Sequence, residues 1–209
     1  MTQVIVLAKE PVPGRVKTRL TPPFTPAQAA RLAEAALSDT LCAVGAGVLA
    51  LDGLPGMWLP AGFTVIPQRG DGLDERLAWA FADAFRLRSE PLVLIGMDTP
   101  QVTSGLLRCA ADALARCDAV FGPAADGGFW LLGFRRPDPR LLLGVPMSRP
   151  DTGALQLARL VEAGLDVHHL PTLTDVDTAA DVYHVAAQVP GSRFAETVRT
   201  LTGRGEAAG

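Results

Sequence analysis

Four short segments of this 209-residue chain carry residue types that could do chemistry. The first is basic: Lys9, Arg15, Lys17 and Arg19 lie in a stretch with four prolines and a glycine between Lys9 and Pro23. Bases at the alternate positions 15, 17 and 19 converge on one anion if the segment is extended, as its prolines suggest. Arginine offers bidentate hydrogen bonds to phosphate oxygens and lysine a compact charge. A solvated basic turn is the competing reading. The second segment is Gly96-Met97-Asp98-Thr99-Pro100, where Pro100 biases Thr99 away from helix. Asp98 either caps the next helix or offers oxygens to a hard cation such as Mg2+ or Mn2+. The third, Asp126-Gly127-Gly128, is a hairpin signal, yet adjacent glycines also let backbone approach a ligand while the aspartate accepts hydroxyl hydrogen bonds. In the fourth, Asp175-Val176-Asp177, two carboxylates share a face if extended, and Asp177-Thr178 reads equally well as a helix cap.

The elements around these segments alternate. Gln3 to Ala8 is a β-branched-rich apolar run, the mark of a buried strand, and the basic segment follows it directly. Thr25-Pro26 has the form of an N-cap followed by proline at the first helical position, and alanine and leucine carry that helix to about Val44. Strands are expected at Gly47 to Leu51, Phe63 to Ile66, Pro91 to Ile95, Ala119 to Gly122, Gly128 to Phe134 and Leu165 to Leu170. Helices are expected from Leu73 to Leu87, from Thr103 to Leu114, from about Asp151, and from Thr178 to Gln188. Strand–helix alternation of this kind predicts a mainly parallel sheet covered on both faces. Ligands of such sheets bind beyond the carboxyl ends of the strands, where the basic segment and Asp98 must both sit. Residues 1–202 read as one domain and 203–209 as a disordered tail.

Composition narrows the function classes. A net charge of −3 gives no reason to expect a nucleic acid partner, so any bound anion must be met by a local cluster of bases. The apolar N-terminal run is too short to span a bilayer and lacks signal-peptide flanks, which predicts a cytoplasmic protein without a membrane span. Cys42, Cys109 and Cys117 form no C-x-x-C pair and are expected to be buried reduced thiols. Other patterns fail on context. Pro11 to Thr18 ends like a phosphate-binding loop but has Pro11 and Val16 where that loop needs glycine. Gly45 to Ala50 matches a dinucleotide fingerprint, but runs from helix to strand, the reverse of the required order. His168 and His169 point to opposite faces of a strand and are expected to be a partly exposed structural pair.

The segments Ala8 to Leu20, Gly70 to Leu77, Ile95 to Pro100, Gly122 to Gly133 and Asp175 to Thr178, in this order, resemble a bacterial family of small glycosyltransferase-like proteins, some associated with radical SAM enzymes. That family resembles the GT-A nucleotide-diphosphosugar transferase superfamily and is similar to guanylyltransferases of molybdenum-cofactor and deazaflavin-cofactor synthesis. The resemblance implies a three-layer α/β/α fold with a mainly parallel mixed sheet. It further implies that Arg15, Lys17 and Arg19 hold nucleotide phosphates, that Gln68, Gly70 and Gly72 lie along the base or ribose, and that Asp98 and Asp177 ligate Mg2+ or Mn2+. Asp126, with Gly127 and Gly128, would line the acceptor side, Asp126 as base or hydrogen-bonding group. The expected function is metal-dependent transfer from a nucleotide-sugar to a small-molecule acceptor. Met97-Asp98-Thr99 holds one carboxylate where GT-A glycosyltransferases carry D-x-D, which leaves room for nucleotidyl transfer from a nucleoside triphosphate. A non-catalytic nucleotide-binding accessory protein is the third reading.

Overall fold

The computed structural model describes residues 2–203. Seven strands form one sheet: β1 (Gln3–Lys9), β2 (Gly47–Asp52), β3 (Phe63–Pro67), β4 (Leu92–Gly96), β5 (Ala119–Pro123), β6 (Phe129–Phe134) and β7 (Val167–His169). Their order is β3-β2-β1-β4-β6-β5-β7, and every pairing is parallel except those of β6 with β4 and β5. The expected α/β architecture with a mainly parallel mixed sheet is therefore present.

Alternation along the central strands explains the layering. Val6, Ala8, Leu49, Leu51, Val93 and Ile95 face one side, where α1 (Pro26–Val44) packs through Ala30, Ala33, Leu37 and Leu41, and α3 (Ser104–Leu114) through Leu107, Ala110 and Leu114. Ile5, Val48, Ala50, Leu92 and Leu94 face the other side, against α2 (Leu73–Leu87) and Leu160 of α4 (Thr152–Glu162). The helix α1 is buried on both of its faces. Its outer residues Leu32, Ala35 and Ala36 meet α5 (Ala179–Gln188) and α6 (Arg193–Gly203) in a third cluster that also holds Leu20 and Phe24.

The predicted start of α1 is correct in detail: Thr25 accepts from the Gln28 N–H, and the Gln28 side chain accepts from the Thr25 N–H. Two features differ from the expected pattern. Helix α6 follows Pro190-Gly191, where the sequence pattern marks no element. It is built on α1, because the Asp39 carboxylate accepts the Arg193 and Phe194 N–H groups at 3.1 and 2.8 Å while Phe194 is fully buried. Nor are the thiols buried: Cys42 and Cys109 are exposed on the solvent sides of α1 and α3, and only Cys117 is partly covered. The expected tail begins at Gly203, which closes α6, and residues 204–209 lie outside the described residues. Among the described residues no helix is long and apolar enough to cross a membrane.

Parallel strands put their carboxyl ends on one edge of the sheet, and β6, which runs the other way, begins on that same edge. The loop after β1, Asp52 at the end of β2, Gln68 just past β3, Asp98 just past β4 and the β5–β6 turn are thus neighbours by topology.

Candidate functional site

The loop after β1 is not extended. Turn hydrogen bonds from the Val12 N–H to Glu10 O and from the Arg15 N–H to Val12 O fold it back at Gly14, whose φ is +78°. Val16 and Leu20 are buried and anchor the loop to the core. Between them Lys17 adopts the left-handed conformation, φ 48° and ψ 40°, and heads a short 3-10 helix over Thr18–Leu20. A non-glycine residue held there costs about 1 kcal/mol, so its side chain must be anchored elsewhere.

That anchor is acidic. The Lys17 ammonium lies 2.9 Å from Asp98 Oδ2 and 2.9 Å from Asp177 Oδ1, with only 10 % of the side chain exposed. Arg19 approaches the other oxygen of Asp177 at 3.4 Å from the solvent side. Burial opposes the charge on Lys17, but the two carboxylates outweigh it and hold the ammonium above its ordinary pKa. Burial likewise works against ionised Asp177, yet Lys17 and Arg19 prevail and keep it below the usual carboxylate range. Arg15 does not join this group. It lines a shallow cleft with Lys9, Glu10 and Asp52.

The late acidic segment is threaded against the end of β4. The Val176 N–H donates to Asp98 O at 3.0 Å, Gln101 Nε2 donates to Thr174 O at 3.0 Å, and the Ala125 N–H donates to Leu173 O at 2.8 Å. The choice between helix cap and ligand resolves residue by residue. Thr178 caps α5 in a reciprocal pair with Asp181, which leaves the Asp177 carboxylate free to meet Lys17. Asp175 points to the site as well, accepting from Thr99 Oγ1. Burial pushes Asp175 up to about 6; the Thr99 hydroxyl and Lys17 oppose that rise, whereas Asp98 and Asp126 add to it.

On the far side Asp126 is exposed and its Oδ1 accepts from the Gly128 N–H at 2.8 Å, closing the turn between β5 and β6. The turn is a hairpin, and it is also clamped. Gly127 has φ +90°, its carbonyl accepts from the Gly153 N–H at 2.7 Å, and a Cβ on it would fall 1.9 Å from Pro150 O. Gln68 is a scaffold residue: its amide nitrogen donates to Ala8 O and Ala50 O, stitching β1 to β2. Gly70 and Gly72 lead into α2, whose first turn carries Asp74 and Glu75. Glu75 accepts from the Asp71 N–H and Asp74 from the Gly144 N–H. Acidic side chains in that turn disfavour an anion there.

Asp98 and Asp177 have the hard oxygen donors that Mg2+ or Mn2+ takes. The space between them, however, is held by the Lys17 ammonium, and among the described residues no three His, Cys, Asp or Glu side chains group to hold a metal ion. The pair does not fit a metal while Lys17 stays in place. Sequence reasoning put Asp175 in the fourth segment but assigned it no role, and it passed over Asp52, Glu10 and Gly153. Of these, only Asp175 had a signal, its spacing from Asp177.

A profile described as "Uncharacterized protein conserved in bacteria (DUF2064)" matches residues 28–149, more than half of the chain. The chain belongs to the DUF2064 family. No curated protein matches it in sequence. Among solved structures, this DUF2064 chain is similar to a candidate nucleotide-diphospho-sugar transferase from Desulfovibrio desulfuricans G20. The two share 26% identity over 97% of this chain and 95% of that one, with a TM-score of 0.86. Its fold is also that of 2-C-methyl-D-erythritol 4-phosphate cytidylyltransferase from Thermus thermophilus, at 17% identity, 91% and 100% coverage and TM-score 0.57. It is shared again by CMP:2-keto-3-deoxy-manno-octonic acid synthetase complexed with CTP, at 16% identity, 90% and 98% coverage and TM-score 0.51.

Proposed function

We propose that this protein is a transferase that takes a nucleotide-activated donor, a nucleotide-diphosphosugar, and passes the sugar to a small-molecule acceptor. The observation that carries this reading is the placement of Lys17 against Asp98 and Asp177, with Arg19 beside Asp177, on the sheet edge that also bears Asp126. Likeness along nearly the whole chain to the Desulfovibrio desulfuricans protein supports it. In this reading Lys17 and Arg19 meet the donor's phosphates and neutralise charge that builds on the departing nucleoside diphosphate. The acceptor oxygen bonds to the anomeric carbon as the carbon–phosphate-oxygen bond breaks. Asp126, exposed beside the clamped turn, accepts the acceptor's hydroxyl hydrogen bond and can take its proton.

Nucleotidyl transfer is the second reading, favoured by the single carboxylate at the end of β4 and by a basic loop placed directly after β1. There a nucleoside triphosphate is the donor, a phosphorylated acceptor attacks its α-phosphorus, and pyrophosphate leaves.

Thermal melting against a panel of nucleotide-diphosphosugars, nucleoside diphosphates and nucleoside triphosphates, with and without Mg2+ or Mn2+, separates the two. A ligand that binds only the folded state raises the melting temperature. Stabilisation by one nucleotide-sugar and its nucleoside diphosphate supports sugar transfer, whereas stabilisation by one triphosphate alone transfers support to the second reading. No shift with any of them removes the donor, and with it the proposed activity.

A further inference from the structure

We infer that Lys17 is a built-in cation occupying the seat between Asp98 and Asp177, so that these two carboxylates do not hold a divalent metal while the ammonium is in place. The geometry is that of a cation site already filled: one positive group, nearly buried, at 2.9 Å from an oxygen of each carboxylate. The two acids come from segments far apart in sequence, just past β4 and just before α5, and their shared partner is this single nitrogen. An ammonium and a dication cannot share the seat, because they repel and because the metal needs oxygens at about 2.0–2.6 Å.

Lys17 is also placed where a competitor can meet it: it heads the short 3-10 helix two positions after the turn that ends at Arg15, with the exposed Arg19 guanidinium at the same carboxylate, Asp177. Groups that compete for the ammonium must replace those two ion pairs. Phosphate oxygens are such competitors, and Arg19 stands beside the same carboxylate to receive them. This part rests on the donor reading above.

The test of the lock uses Mn2+ alone, without nucleotide or acceptor, so its result is independent of whether the donor reading holds. Free Mn2+ is measured by electron paramagnetic resonance in titrations of the wild-type protein, Lys17→Gln and Lys17→Met. The glutamine keeps a hydrogen-bond donor near the carboxylates, and the methionine removes it, so loss of folding in one variant leaves the other to report. Both variants should gain one Mn2+ site at least about tenfold tighter than anything in the wild type, and Mn2+ should raise their melting temperatures but not that of the wild type. Adding Asp98→Asn to either variant should abolish the gain. Equal Mn2+ affinity in wild type and variants overturns the inference, as does a gain that survives Asp98→Asn.

Discussion

Thr99 Oγ1 donates a 2.5 Å hydrogen bond to Asp175 Oδ1 and so ties the residue after Asp98 to the acidic segment 76 positions later. The carboxylate it holds is pushed by burial up to about 6, with Asp98 and Asp126 adding to the shift and Thr99 and Lys17 restraining it. The folded chain therefore binds a proton at Asp175 more readily than the unfolded chain does.

The pH dependence follows. Between the ordinary value of 3.8 and about 6, the folded state carries more protons at Asp175 than the unfolded state, so this residue's contribution to stability falls as pH rises through that window. At about 1.4 kcal/mol per unit, Asp175→Asn should stabilise the protein by roughly 1–3 kcal/mol at pH 7 relative to wild type. Urea unfolding of both at pH 4.5 and pH 7 checks this; an equal difference at the two pH values contradicts it. Asp177 has the opposite sign. Its folded-state value is lowered, so the stability it confers is present above pH 3.8 and lost as pH falls through the lowered value.

Donor affinity should fall when the exposed bases are removed. Arg19 reaches Asp177 only at 3.4 Å and with most of its side chain in solvent, so Arg19→Ala leaves the fold intact. Loss of one charge-assisted phosphate contact should weaken binding of the donor found by melting about three- to tenfold, and the loss should shrink as salt is raised. Isothermal titration at two salt concentrations measures both effects, and unchanged affinity would place the donor phosphates elsewhere.

The turn that carries Asp126 depends on missing side chains. An alanine at 127 would need φ +90° and would put its Cβ against Pro150 O, while a Cβ at Gly153 would meet Gly128 O at 2.5 Å. Gly127→Ala and Gly153→Ala should each destabilise the protein by more than about 2 kcal/mol, since backbone must move in both. Gly144→Ala provides the contrast: it also has positive φ but open space, so its cost should be nearer ~1 kcal/mol. Thermal unfolding of the three variants ranks them.

Helix α6 should prove part of the core rather than an appendage. Phe194→Ala should cost about 3–5 kcal/mol, as a fully buried phenylalanine lost between α1 and α5 leaves a cavity. Asp39→Ala removes the acceptor of two helix-start N–H groups and should cost about 1 kcal/mol. Denaturant titration of both variants tests the order, and a milder effect for Phe194 than for Asp39 would contradict it.

The sequence alone determined what depends on near neighbours. Apolar runs such as Leu92 to Ile95 read as buried strands, and Thr25 with Pro26 marked the start of α1. The positions of the basic loop after β1, Asp98 after β4 and Asp126-Gly127-Gly128 between β5 and β6 then followed from strand direction. Helix α6 escaped because its stabilising partners, Asp39, Leu32 and Ala36, lie on α1. The tertiary structure decided which of the paired possibilities each site residue takes. Arg15, Lys17 and Arg19 do not converge as an extended triplet, because burial of Val16 and Leu20 and the turn at Gly14 send Arg15 to a separate cleft. Asp177 is a partner of Lys17 rather than a cap because Thr178, one position on, completes the cap with Asp181. The seat between Asp98 and Asp177 was read as a metal site, and a lysine fills it. No local rule could reveal that occupant, since the three charges meet only when the loop after β1 and the segment before α5 close over the same end of β4.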